Sequence, residues 1–265
     1  MLRPAGREAT RVRHRRSELI NKEQEGFVSV QRDNRSYYDE FASWYEKERH
    51  QGYHRLIDDL QVDLLQRHIR GKDVLEVGCG TGLLLERVAG EARSARGIDI
   101  SPGMLELALG RGLEVQEGDV TKLPYEDHSF DVVYSFKVLA HVKDIETALS
   151  ECARVTRPGG QLFLEFYNPR SLRFLARQLG GAKKISEETK ESAVFTRWDT
   201  SEAVVKYLPG GVQVEGWAGV RIFTPAAFVH RLPVLGSALR TLEFVGRDTP
   251  LGKYGGFLVA RLRKG

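Results

Sequence analysis

The sequence predicts an α/β protein, a doubly wound and mostly parallel sheet of seven strands with helices on both faces. Three observations carry that expectation. Residues 73–167 alternate between short strand-like runs and helical stretches. A glycine turn, residues 78–82, directly follows the first strand and opens a helix. Two further strand-like runs come late, and a late pair can form an antiparallel edge on a parallel sheet. Alternating strands and helices imply right-handed crossovers, with helices covering both sides of the sheet.

The chain begins with a basic tail, residues 1–25. Arg3, Arg7, Arg11, Arg13, Arg15 and Arg16 lie there among few large apolar residues. Such a composition cannot bury enough apolar surface to fold and reads as a solvated segment. Residues 26–265 read as one domain, long enough for a full α/β core. Its first part, 26–70, is a helical lid segment. Tyr37, Tyr38, Phe41, Trp44, Tyr45 and Tyr53 place six aromatics in seventeen residues. Tyr38, Phe41 and Tyr45 recur at helical spacing, which suits a packing stripe and a lid over a pocket equally well.

The core follows at 71–167. Strand-like runs are 73–77 (DVLEV), 95–100 (ARGIDI), 113–119 (LEVQEGD), 130–136 (FDVVYSF) and 161–167 (QLFLEFY). Leu83, Leu84, Leu85 and Val88 mark the first helix. In the second, Ser101 is the expected N-cap, Pro102 takes the first helical position and Gly110 the stop. A third carries Ile145, Ala148, Leu149, Cys152 and Val155 on one face and is expected to end at Pro158-Gly159-Gly160. Residues 168–199 form an insertion rich in arginine, lysine and aromatics that fits no core strand. In 200–265, Thr200 caps a short helix, and strands are expected over 212–223 and 253–264 with a helical or loop-rich stretch between.

Composition narrows the function classes. A formal charge of +4 demands neither a nucleic acid nor a membrane. No apolar run is long enough for a signal segment or a membrane span, so a cytoplasmic location is expected. Cys79 and Cys152 stand in unrelated contexts and read as small packing residues. The histidines are scattered, with no ligand spacing such as H-E-x-x-H, so no metal is expected. No pattern specifies an oligomeric state.

The chemistry centres on residues 74–82, VLEVGCGTG. Glycines after a strand let the backbone turn tightly and approach a ligand at the carboxyl end of the sheet. A dinucleotide fingerprint is G-x-G-x-x-G, but Leu83 stands where its third glycine would fall. A phosphate-binding P-loop needs G-x-x-x-x-G-K-[ST], which is absent from the sequence. Glu76 sits two residues ahead of Gly78, giving E-x-G-x-G-x-G with Gly80 and Gly82. Asp99 closes the second strand, where a carboxylate can accept from both hydroxyls of a ribose. Asp119 closes the third, where it can accept from an exocyclic amine such as adenine N6. Together they outline a pocket for an adenosine with no required phosphate.

With these residues the sequence resembles the class I S-adenosylmethionine (SAM)-dependent methyltransferases, of the small-molecule type that includes the ubiquinone and menaquinone biosynthesis enzymes. The matching segments are VLEVGCGTG, GIDIS (97–101), EGDVTKLPYEDHSFDVVYS (117–135), VLAHV (138–142) and RVTRPGG (154–160), within 38–167. YDEFASWYE near the N-terminus resembles the start of quinone-precursor methyltransferases. The resemblance implies a Rossmann-like methyltransferase fold, SAM as cofactor and S-adenosylhomocysteine as product. Backbone at Gly78 and Gly80 would hold the methionine part, with Glu76, Cys79 and Gly82 completing the turn. Asp99 would hold the ribose, Ile100 pack on the adenine, Asp119 and Val120 bind its edge, and Ser135 line the floor.

Methyl transfer is an in-line displacement, so alignment and exclusion of water are the main tasks. A base helps when the acceptor carries a proton. His141, after the fourth strand, is the leading candidate, where related enzymes often place a histidine; Tyr45, His54 and Glu165 are weaker ones. The relatives' H-V-P-D is H-V-K-D here, with Lys143 replacing proline. DNA methyltransferases of this fold carry [ND]-P-P-[YF] after the fourth strand, where this chain has SFKV, and no RNA-binding module is visible. The expectation is methylation at an oxygen or carbon of a small aromatic or quinone-like metabolite. Tyr38, Tyr53, Phe136, Tyr167 and Trp198 would line its pocket. Arg170, Arg173, Arg177 and Arg197 are cations that could meet an acidic substituent. The alternatives are an RNA methyltransferase using the basic tail and a catalytically silent SAM-binding regulator.

Overall fold

The computed structural model describes residues 52–180, 195–224 and 227–265, all within the unit Asp33–Gly265. The basic tail, and Tyr37, Tyr38, Phe41, Trp44 and Tyr45 of the lid segment, lie outside them.

Helix α1 (Gly52–Ile69) buries Leu56, Ile57, Leu60, Leu64, Leu65 and Ile69, an apolar stripe at helical spacing. The chain then runs through β1 (Asp73–Val77), α2 (Leu83–Ala89), β2 (Ser94–Asp99), α3 (Pro102–Gly110), β3 (Glu114–Glu117) and β4 (Phe130–Ser135). After a 3₁₀ turn (Leu139–His141) come α4 (Ile145–Val155), β5 (Thr156–Tyr167), α5 (Leu172–Gly180), α6 (Ser201–Tyr207) and β6 (Val212–Val220). A second 3₁₀ turn (Ala227–Arg231), α7 (Pro233–Gly246), a third (Pro250–Tyr254) and β7 (Phe257–Lys264) complete it.

The seven strands form one sheet in the order β3-β2-β1-β4-β5-β7-β6. β1 to β5 are parallel, and β7 runs antiparallel between β5 and β6. The chain moves outward from β1 to β3, then returns to the other side of β1 with β4. The carboxyl ends of β1 and β4 therefore flank the switch point, where connecting loops part and leave a crevice. The strands beside it read as nearly unbroken apolar runs because both faces are covered. Val74, Val132, Tyr134, Phe163 and Val259 pack on one face with α1 and α2. Leu75, Val77, Val133, Leu162 and Leu164 pack on the other with α4.

The expected caps form. Ser101 Oγ accepts from the Met104 amide at 3.2 Å, and Thr200 Oγ1 from that of Ala203 at 3.3 Å. Ile145, Ala148, Leu149, Cys152 and Val155 are all buried. The boundaries differ in informative ways. The P-G-G run does not end a helix. α4 stops at Val155, and residues 157–160 form a bulge, the register jumping from Phe130↔Thr156 to Val132↔Gln161. Gly160 is needed there because a Cβ would meet Asp131 O at 2.8 Å. β4 ends at Ser135 and β6 at Val220 because Lys137 (φ 64) and Arg221 (φ 62) turn the backbone into the left-handed region. β7 begins at Phe257, the preceding residues forming the third 3₁₀ turn. The insertion contains α5, with Ser171 Oγ accepting from the Phe174 amide at 3.1 Å.

Candidate active site

The glycine turn starts the site. Gly78 (φ 78), Gly80 (φ 53) and Gly82 (φ 83) are all left-handed, a conformation that strains residues with a Cβ. Their surroundings differ. A Cβ on Gly78 would meet Val138 Cγ2 at 2.1 Å, and one on Gly82 would meet Leu113 Cδ1 at 2.4 Å. A Cβ on Gly80 would meet no atom within 4 Å. Two of the three glycines thus serve contacts within the protein, and the middle one borders open space. The turn is tied to β2, the amides of Gly78 and Cys79 donating to Ile98 O at 2.7 and 3.0 Å.

Asp99 follows at the end of β2. Its Oδ2 accepts from the Gly80 amide at 2.8 Å and its Oδ1 from that of Ser101 at 3.0 Å. These two bonds orient the carboxylate at the end of β2. Ile100 beside it is half-buried. Asp119 is exposed, with Oδ1 accepting from the Thr121 amide and hydroxyl, both at 2.8 Å. It caps a local turn. Val120 is buried against Ile98 and Leu123 in the core. Ser135 is buried, and its hydroxyl donates to Val77 O at 2.8 Å, joining the ends of β4 and β1.

Glu76 is buried at the end of β1, and Tyr134 Oη donates to it at 2.9 Å. Burial pushes its carboxyl up to about 8. Cys79 packs against Leu85 and Leu105, burial pushing its thiol up, and Cys152 is pushed up to about 12 for the same reason. Both behave as inert packing groups. The buried Thr81 hydroxyl makes no hydrogen bond among the described residues.

On the β4–β5 side, His141 closes the first 3₁₀ turn. Its Nδ1 lies 2.8 Å from Phe195 O. A carbonyl only accepts, so this contact requires the proton on Nδ1 and leaves Nε2 as the basic nitrogen. The imidazole stands edge-on to Tyr167, centroids 5.6 Å apart, and Tyr167 packs against Trp198 at 5.4 Å. The Arg197 amide donating to Ala140 O at 2.8 Å holds that segment on the turn. Tyr53 and His54, on α1, pack edge to face at 5.2 Å. Phe136 is placed differently: it is buried in the core beside Tyr134.

A polar cluster that no motif announced lies beneath. Glu165 is fully buried and accepts from the Lys137 amide at 3.0 Å and from Gln61 Nε2 at 2.6 Å. Lys137 Nζ pairs with the buried Asp58 at 2.8 Å. Burial pushes Glu165 up to about 7. The sequence signal was present in Asp58 and Gln61, polar residues three apart within the apolar stripe of α1. Of the arginines, Arg170 pairs with Glu202 and Arg197 with Asp199. Arg173 stacks on Tyr167, its guanidinium carbon 4.2 Å from the ring centroid. Arg221, which no motif singles out, lies over Tyr53 at 5.0 Å.

Among the described residues, no group of three His, Cys, Asp or Glu side chains is arranged to hold a metal. No described helix is long and apolar enough to cross a membrane.

Comparison with known proteins fits this geometry. Residues 75–164 match the family model described as a methyltransferase domain. The ubiquinone biosynthesis O-methyltransferase of Nitrosospira multiformis is 35% identical over 129 residues, 44% of this chain and 54% of that protein. Its counterpart in Thiobacillus denitrificans is 30% identical over 174 residues, 62% of this chain and 74% of that protein. The chain thus spans about half the length of the first relative and about three quarters of the second. A solved structure of a SAM-dependent methyltransferase from Thermotoga maritima, a possible histamine N-methyltransferase, has the same fold at 20% identity. Its TM-score is 0.64, with 86% of this chain and 98% of that one covered.

Proposed function

The chain belongs to the class I SAM-dependent methyltransferases, and from that premise we propose that it methylates an oxygen or carbon of a small aromatic, quinone-like acceptor. SAM, when bound, supplies a methyl group already activated on a sulfonium. The residues present fit it. Gly80 leaves room where a Cβ would intrude, and Asp99 offers an oriented carboxylate beside it. In this reading Asp99 takes the ribose, Asp119 and Val120 the adenine edge, and the turn from Gly78 to Gly82 the amino-acid end. Ser135 and Glu76 shape the floor beneath.

The observation that carries the acceptor side is His141. Its Nδ1 is committed to Phe195 O, and its ring is braced edge-on against Tyr167. A base held in one tautomer can take a phenolic proton at Nε2 as the oxygen, or the ring carbon it activates, attacks the methyl. Such assistance typically contributes about 10²–10⁴-fold. Tyr167, Trp198 and Tyr53 supply flat apolar walls suited to an aromatic ring. The named activity of the two ubiquinone-biosynthesis relatives supports the same acceptor class.

The test is incubation with methyl-labelled SAM and a panel of phenols, amines, carboxylic acids and RNA. Label is expected in phenols. His141→Ala should lower turnover by roughly 10²-fold or more and leave S-adenosylhomocysteine affinity unchanged. Label confined to RNA overturns the proposal in favour of a nucleic-acid enzyme. Tight cofactor binding with no label anywhere favours a regulator. Unchanged turnover in the variant removes His141 from the chemistry.

A further inference from the structure

Helix α7 turns an apolar side outward. Its inward side is committed to the protein. Glu243 is buried and holds the amides of Ile222, Phe223 and Thr224. A Cβ on Gly236 would meet His230 O at 3.1 Å, and one on Gly246 would meet Phe223 Cε2 at 2.6 Å. The two glycines thus let the second 3₁₀ turn and the chain after β6 approach closely. At about 100° per residue these three positions share one side of the helix. Val234, Leu235, Ala238, Thr241, Leu242 and Val245 fall within an arc of about 120° on the other. All six are exposed, Val234 by 86% and Val245 by 67%. An ordinary surface helix has the reverse arrangement, with its apolar stripe facing the core. Together with Leu232 and Phe228, exposed just before the helix, the six present on the order of 700 Å². That exceeds the few hundred Å² common on a monomer and approaches the roughly 800 Å² that each partner gives a standard interface.

The charges bear on what covers this face. α7 carries two charged side chains, Glu243 and Arg240. Glu243 is buried, and Arg240 pairs with Asp59 at 2.9 Å. The exposed arc holds neither, so a second copy laid on it meets no like charge. The Thr241 hydroxyl donates back to Ser237 O at 3.2 Å and adds no unpaired group. Arg240 and, past the end of the helix, Arg247 are both balanced by acids, the latter by Asp63 and Asp248. The basic face that draws a helix to an anionic bilayer is arranged differently, with its cations available to the lipid.

The spacing along the helix points to a two-fold pair. The larger side chains stand near its ends, Val234 and Leu235 at one and Leu242 and Val245 at the other, with Ala238 and Thr241 between. We propose that α7 is the interface of a homodimer in which two copies of the helix pack antiparallel through this face. Val234 of one copy then lies opposite Val245 of the other, and Leu235 beside Leu242. The small central residues let the helices approach where they cross. Each contact occurs twice, as an isologous interface requires. Such a dimer is independent of the acceptor proposed above.

Sedimentation velocity of the full chain at micromolar concentrations should give about twice the 29.9 kDa of one copy. Val234→Asp and Val245→Lys each bury a charge in the interface, and each should sediment as a monomer with unchanged far-UV circular dichroism. Mixed in equal amounts, the two variants set Asp against Lys across one contact and leave its symmetry mate unaltered, so a dimer should re-form. Leu109→Asp alters an exposed leucine of α3, the helix beside the edge strand β3, and should stay dimeric. A wild-type monomer at every concentration reached overturns the proposal. So does a dimer that survives both single charges, or a mixture that stays monomeric. A monomer that floats with phosphatidylcholine–phosphatidylglycerol vesicles, and loses them in Val234→Asp, overturns it in favour of a membrane. A monomer whose melting temperature falls in Val234→Asp overturns it in favour of residues 1–51 of the same chain.

Discussion

At the scale of single residues, the three glycines of the turn separate into two kinds. A Cβ on Gly78 would overlap Val138, whereas one on Gly80 would enter open space. Gly78→Ala therefore combines left-handed strain with overpacking, on the order of 2–5 kcal/mol of stability. Gly80→Ala carries the strain alone, about 1–2 kcal/mol. Thermal melts should rank Gly78→Ala well below Gly80→Ala. Titration with S-adenosylhomocysteine should show at least a tenfold loss for Gly80→Ala; full affinity in that variant would remove Gly80 from the cofactor cradle. The spacing of the glycines was legible in the sequence because it reflects local backbone freedom. Which glycine packs and which borders the crevice was not, because Val138 and Leu113 reach the turn from other elements.

At the scale of elements, one buried carboxylate organises the exit from β6. Glu243 on α7 accepts from the amides of Ile222, Phe223 and Thr224 at 2.7, 2.9 and 3.0 Å and from Thr224 Oγ1 at 2.8 Å. Those amides would otherwise continue a strand, as the apolar run VRIF suggested. Glu243 captures them instead, Arg221 turns left-handed, and the segment is redirected toward Tyr53. Glu243→Ala would orphan three amides, those of Ile222 and Thr224 buried and that of Phe223 half-buried, a loss of about 3–5 kcal/mol. Urea unfolding should record it as a lower midpoint. A midpoint within experimental error of the wild type would show that the segment is held by other contacts. Helix caps at Ser101 and Thr200 were readable because capping joins residues three apart in sequence. The bulge at 157–160 was not, because it is defined by pairing with β4.

At the scale of the whole molecule, two buried acids link stability to pH. Glu76 and Glu165 are raised chiefly by burial, to about 8 and about 7. In the unfolded chain each would ionise at the ordinary value, near 4.3. Between that value and the folded ones the native state holds more protons than the unfolded state, so stability falls as pH rises. The contribution is fully present below about pH 4 and lost by about pH 8, in total on the order of a few kcal/mol. Asp73, Asp131 and Glu151 are shifted the other way by arginine partners and amides, so their contributions disappear as pH falls below the ordinary carboxylate range. Urea midpoints at pH 5, 6.5 and 8 should therefore decline in that order. The decline should flatten in the double variant Glu76→Gln, Glu165→Gln; an unchanged slope would place its origin elsewhere.

The sequence by itself determined the sheet, the turn after β1, and Asp99 at the end of β2, whereas Asp119, expected to close the third strand, lies two residues past the end of β3 at Glu117. The first three depend on periodicity, glycine conformation or a cap, and such signals act over a few neighbouring residues. Only the tertiary structure decided that Gln61 meets Glu165 across 104 positions, that Phe195 O selects the tautomer of His141, and that Arg173 and Arg221 share the space over Gly256. Those meetings arise when helices cross the sheet and loops close over its carboxyl edge, and a local pattern carries no information about which distant residue will arrive there.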